Sequence, residues 1–104
     1  MRVKRLTLWD LEEAMEYIDN NQTLIHQLTF DFLSDRWIKK KKFRDVDLLK
    51  IKLRDDEEMD EMILTIFEDE WEAAIEMGLR HFEDLEEYEK CSQINKFLTT
   101  IKTN

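Results

Sequence analysis

Apolar positions along this chain fall mostly at helical spacing, with one stretch of alternation. Leu8, Leu11, Ala14, Met15 and Ile18 share one face of a predicted first helix. Thr7 stands where its N-cap belongs, with Asp10 as the capping-box partner three residues on. The segment "DNNQT" (19–23) interrupts the pattern and offers Thr23 as the cap of a second helix. Between Leu24 and Lys39 there are two apolar lines: Leu24, Ile25, Leu28 and Phe32 make one, and Phe30, Leu33 and Trp37 the other. A helix apolar on two sides is packed against more than one neighbour, so this one is expected at the centre.

Residues 46–53, "VDLLKIKL", break the helical period. Leu49, Ile51 and Leu53 alternate with Lys50 and Lys52, which is the period of a strand. A strand needs a partner, and the other candidates lie at Arg2–Leu6 and Thr29–Phe32. A long third helix is then predicted from Asp55 or Asp56, its acidic first turn matching the helix macrodipole. Met59, Met62, Ile63, Ile66, Ala73, Ala74 and Met77 form its stripe, and Gly78 reads as its stop. A last helical stretch, 79–101, carries Phe82, Leu85, Tyr88, Cys91, Ile94 and Phe97 at steps of three, which predicts a bend near Lys90–Ser92. The expected fold is mainly α: a compact bundle of about four helices in a single domain, 1–104, with a short strand or hairpin around 46–53. The alternative is α+β.

Composition supports this reading. One glycine and no proline in 104 residues leave little turn chemistry for an extended β architecture. Hydrophobic content of 42% is too high for a disordered acidic chain. The single cysteine, Cys91, cannot form an internal disulfide, and neither a secretory signal nor a long apolar span is evident, so a cytoplasmic protein is expected.

Charge changes the picture more. The net charge is −9, and residues 55–90 hold sixteen acids against Arg80 and Lys90 alone. Such a surface repels phosphates and anionic membranes, so neither direct nucleic-acid binding nor membrane binding is expected. On a helix spanning 55–78, Glu58, Glu61, Glu68, Asp69, Glu72 and Glu76 share one broad face, and Glu83, Glu86 and Glu87 continue the run beyond Gly78. Like charges at i,i+4 weaken a helix by a few tenths of a kcal/mol per pair, and no lysine interrupts them. Trp71 lies beside the acids, in line with Leu64 and Ile75. Glu70 falls in the middle of the main apolar stripe, so either it pairs with a base such as Arg80 or a lysine of 39–42, the favoured reading, or the helix is distorted near "FEDEW".

Candidate chemistry is sparse. His26 and His81 lack the Glu-x-x-His spacing of di-iron bundles, and one cysteine with two distant histidines gives no zinc ligand set. "DDEEMDEMILTI" lacks the glycine at the sixth position of a calcium loop. On one straight helix His81 and Cys91 would lie about 15 Å apart, too far for a nucleophile–base pair. No cofactor, no metal and no enzymatic activity are expected. The function expected is that of a small acidic binding protein. Its negative face would occupy a basic, nucleic-acid-binding surface of a partner protein, as inhibitors, DNA mimics and immunity proteins do. The residues assigned to it are Glu58, Glu61, Glu68, Asp69, Trp71, Glu72, Glu76, Glu83, Glu86 and Glu87. The competing expectation is a structural or regulatory module assembling through Leu64, Trp71 and Ile75. The basic cluster "RWIKKKKFR" (36–44) could dock on the acids of the same chain or of a second copy, giving a homo-oligomer.

Overall fold

The computed structural model describes residues 2–39, 44–55 and 57–103. Strand β1 (Lys4–Leu8) leads into helices α1 (Leu11–Asn20) and α2 (Gln22–Ile38). Strands β2 (Val46–Leu53) and β3 (Glu61–Ile66) follow, and helices α3 (Trp71–Asp84) and α4 (Tyr88–Lys102) close the chain. The fold is therefore mainly helical with a small sheet, closer to α+β than to a pure bundle.

The alternating segment 46–53 is the central strand. β1 pairs with it in parallel, Leu6 opposite Ile51, and β3 pairs with it antiparallel, Ile51 opposite Met62. Of the two partners the sequence offered, the N-terminal one is used; Thr29–Phe32 lies within α2. A bulge between Asp47 and Leu49 shifts the phase by one residue. That is why Val46, at an even position, shares the inner face with Leu49, Ile51 and Leu53, all 4% exposed or less. Burying each such side chain is worth roughly 1.5–3 kcal/mol. Lys52, Arg5, Thr7 and Ile63 point to the open outer face, where the Thr65 hydroxyl donates to Asp47 Oδ1 at 2.8 Å.

Helices cover the inner face. A parallel β1–β2 pair requires a crossover, and α1 with α2 provide it, both packing on β2. α3 packs on α2 and α4 on α3, which draws the molecule out to 47 × 31 × 20 Å. α2 is central, as its two apolar lines predict, with Ile25, Thr29, Phe32 and Leu33 buried; the Thr29 hydroxyl is satisfied by the Ile25 carbonyl at 2.9 Å.

Several expectations are corrected. The helix expected between Asp55 or Asp56 and Gly78 is instead strand β3, a 3₁₀ turn (Glu68–Glu70) and the start of α3; Asp56 itself lies outside the described residues. "EMILTIF" fits both periods, and the need of buried β2 for a second neighbour selects the strand, with Met62, Leu64 and Ile66 turned inward. Glu70 consequently sits exposed in the 3₁₀ turn, not in an apolar stripe. Gly78 is interior to α3, where its bare Cα packs against the His26 side chain of α2.

The break in the last stretch falls at 85–87 rather than at Lys90–Ser92. Glu87 N donates to the Phe82 carbonyl at 2.9 Å and Glu86 N to that of Glu83 at 3.0 Å. This is a Schellman closure, with Glu86 in the left-handed position at φ 57° where glycine is the usual occupant. The first cap also moves. Thr7 belongs to β1, and Asp10 caps α1 by accepting from Glu13 N at 2.9 Å, while Glu13 Oε2 accepts from Trp9 N at 3.0 Å. Asn21, not Thr23, is the N-cap residue of α2. Of the five residues expected on the core face of the first helix, only Ala14 is fully buried; Leu11 and Met15 are exposed.

Asp10→Ala is expected to lower stability by about 1 kcal/mol, read as a lower urea midpoint at unchanged slope. Glu86→Gly is expected to raise it by about 0.5–1 kcal/mol by relieving the left-handed strain, measured the same way.

Candidate functional site

Every acid assigned to a partner surface is exposed or half-exposed, but they do not share one helix face. They fall into separate groups. Glu58 lies in the connection between β2 and β3, and Glu61 opens β3. Glu68 and Asp69 form the 3₁₀ turn, with Trp71 opening α3. Glu72 and Glu76 stand on the first turns of α3, and Glu83, Glu86 and Glu87 at the turn into α4. β3 separates Glu61 from Glu68 by roughly 20 Å, since a strand rises about 3.3 Å per residue.

The second group lines a candidate site. Phe67, Glu68, Asp69, Glu70 and Trp71, joined by Asp45 just before β2, line an open depression of about 820 Å³. Its geometry follows from local bonds. Glu68 N donates to Asp45 Oδ1 at 2.8 Å, tying the turn to the chain entering β2. Glu70 N closes on the Phe67 carbonyl at 2.9 Å. These carboxylates precede the N-terminus of α3, where the helix dipole favours negative charge. Phe67 is 51% exposed, and Trp71 is half-buried against the core. Among the described residues no base lines it. Asp45 was not expected here, because only the Val46–Ile66 register brings it beside Glu68.

Glu72 and Glu76 serve a different contact. The ammonium of Lys102, at the end of α4, lies 2.9 Å from Glu72 Oε1 and 3.5 Å from Glu76 Oε1, and its pKa is raised by Glu72 first and Glu76 second. These two acids therefore clamp α4 onto α3. Glu76 and Glu83 also line the groove between those helices, with Arg80 and Lys102.

The line Leu64, Trp71 and Ile75 is not a surface. Leu64 faces inward opposite Leu49, and Ile75 is 2% exposed, so the core claims both. Of the basic cluster, Lys40, Lys41, Lys42 and Phe43 lie outside the described residues. Arg36 and Lys39 line a smaller depression of about 320 Å³ with Asp35, Asp47 and Lys50. Lys39 pairs with Asp35 at 3.2 Å and holds that carboxyl below the usual range.

His26 and His81 meet across α2 and α3 with ring centroids 4.7 Å apart, and His81 Nε2 bonds the Thr23 hydroxyl at 2.8 Å. No spacing rule points to this pair. Burial first, and His81 second, lower the pKa of His26. Cys91 is on α4, a separate helix from His81, and is buried; burial first, then Glu83 and Glu87, push its thiol up, so it is not poised as a thiolate. Among the described residues no group of three or more His, Cys, Asp or Glu is arranged to hold a metal, and no helix is long and apolar enough to cross a membrane. No protein-family model, curated protein or solved structure matches the chain.

Because the folded state disfavours protonated His26, its contribution to stability is complete above about pH 6.5 and is lost as pH falls through the lowered folded value. Urea midpoints between about pH 7.5 and pH 5 should fall for the wild type and fall less for His26→Gln.

Proposed function

We propose that the protein is a non-enzymatic acidic binding protein, and that the depression between Asp45 and Trp71 takes a lysine or arginine of a basic partner protein. The observation that carries this reading is the lining: among the described residues, four carboxylates and two aromatic side chains with no base. A guanidinium or ammonium entering there meets opposite charge on several sides and an aromatic face, an attraction of about 0.5–2 kcal/mol. Exposed acids elsewhere, at Glu58, Glu61, Glu83, Glu86 and Glu87, add long-range steering, which raises the rate of encounter with a basic surface at low salt. A partner surface that otherwise holds nucleic acid has the required charge, which makes an inhibitor or nucleic-acid mimic the natural class. Glu72 and Glu76 contribute less, because Lys102 already neutralises part of their charge.

An oligo-arginine peptide is the direct probe. Binding is expected at about 0.1 M salt and to weaken at least about tenfold at about 0.5 M. Glu68→Lys with Asp69→Lys should abolish most of it, and Phe67→Ala should weaken it, while Glu86→Lys with Glu87→Lys weakens it much less, through slower association alone. Equal affinity of the wild type and the Glu68/Asp69 reversal, by calorimetry, would remove the depression from the reading.

A further inference from the structure

We infer that the end of the sheet where α1 begins is a second docking surface, and that it takes a basic amphipathic helix of a partner protein. This inference does not depend on the depression at Asp45–Trp71. β1 and β2 run parallel, so their C-terminal ends lie together, and Arg54 N and Asp55 N bond the Leu8 and Trp9 carbonyls at 3.0 and 2.8 Å. The start of α1 and the connection between β2 and β3 therefore meet at one end. There Trp9 is 54% exposed, Leu11 39%, Met15 47% and Met59 41%. Leu11 and Met15 stand one helical turn apart, the spacing of a ridge that meets a second helix. α1 turns Ala14 fully to the core, with Tyr17 and Ile18 partly buried against it. Its amphipathic pattern thus has more apolar surface than the fold covers, and an exposed apolar patch rimmed by polar groups marks an interaction site.

Charge selects the occupant. α1 carries Glu12, Glu13, Glu16 and Asp19 and no base, and the neighbouring connection adds Asp55, Glu57, Glu58 and Asp60 against the one described base Arg54. A second copy docking α1 on α1 would bring two such sets of carboxylates together, and an anionic membrane surface would be repelled by them. A helix with leucines at i, i+4 and i+7 and lysines beside them satisfies both the ridge and its rim.

The test uses an amphipathic Leu/Lys peptide of about 14 residues, near four helical turns, titrated into the isotope-labelled full chain and followed by amide shifts. The expected shifts map to residues 9–16 and to Asp55 and 57–60. Affinity should fall at least about tenfold in Leu11→Ser with Met15→Ser, and again in Glu12→Lys with Glu16→Lys, while Phe67→Ala leaves it unchanged. Urea midpoints of the variants confirm that each is folded. Three results would overturn the inference: no binding, shifts confined to 67–71, or wild-type affinity in the Leu11/Met15 variant. Concentration-dependent self-association that the Leu11/Met15 variant abolishes would also overturn it, by giving the surface to a second copy.

Discussion

The rest of the fold depends on the burial of the apolar side chains of β2. A central strand carrying Val46, Leu48, Leu49, Ile51 and Leu53 into the interior must have both edges paired and one face covered. One edge goes to β1 in parallel, and that pairing requires a crossover, so α1 and α2 are drawn over the face. The other edge goes to the segment that follows, which becomes β3 despite its helix-compatible pattern. The bulge at Asp47–Leu49 lets one strand place both even and odd positions inside. From this single burial follow the two ends of the sheet. At one end Trp9 and the connection after β2 come together; at the other, Asp45 meets the turn after β3.

The helical side is a stack in which α2 is shared between the sheet and α3, and α3 between α2 and α4. Gly78 and the paired imidazoles of His26 and His81 stand where α2 and α3 come together. Phe30 of α2 also reaches Phe97 of α4, edge to face at 5.5 Å, so the last helix is tied to the second as well as to the third. The Lys102 clamp on Glu72 and Glu76 adds little energy, since each partner is about half exposed and such pairs are screened, but it fixes where the end of α4 lies.

The same arrangement accounts for the long acidic run. On one continuous helix its carboxylates would repel at every turn. The fold breaks the run into places where acids are tolerated: an exposed connection, the turn before α3, and the turn before α4, the last two at positive dipole ends. Glu61 at the head of β3 and Glu76 within α3, beside Lys102, lie outside these places, and Glu83 and Asp84 sit at the negative end of α3 beside a left-handed Glu86. Electrostatic tolerance explains where the acids lie, and it leaves the depression at Asp45–Trp71 with four carboxylates and, among the described residues, no base in its lining.

Much of this was legible in the chain. The alternation of Leu49, Ile51 and Leu53 with lysines marks β2, the two apolar lines of 24–39 mark a central helix, and the absence of bases between Asp55 and Gly78 marks an exposed acidic segment. These are local signals, because side-chain period and charge are properties of neighbours in sequence. What the sequence left open is set by partners far apart along it. "EMILTIF" takes its strand form from β2, Asp45 joins Glu68 only through the β2–β3 register, and Glu72 finds Lys102 only after α4 folds back. Leu11 and Met15 show the same limit in reverse: their helical spacing is written in the sequence, but whether a helix face is covered depends on which elements the fold sets against it. Periodicity determined which faces are apolar, and tertiary packing decided which of them meet protein and which meet water.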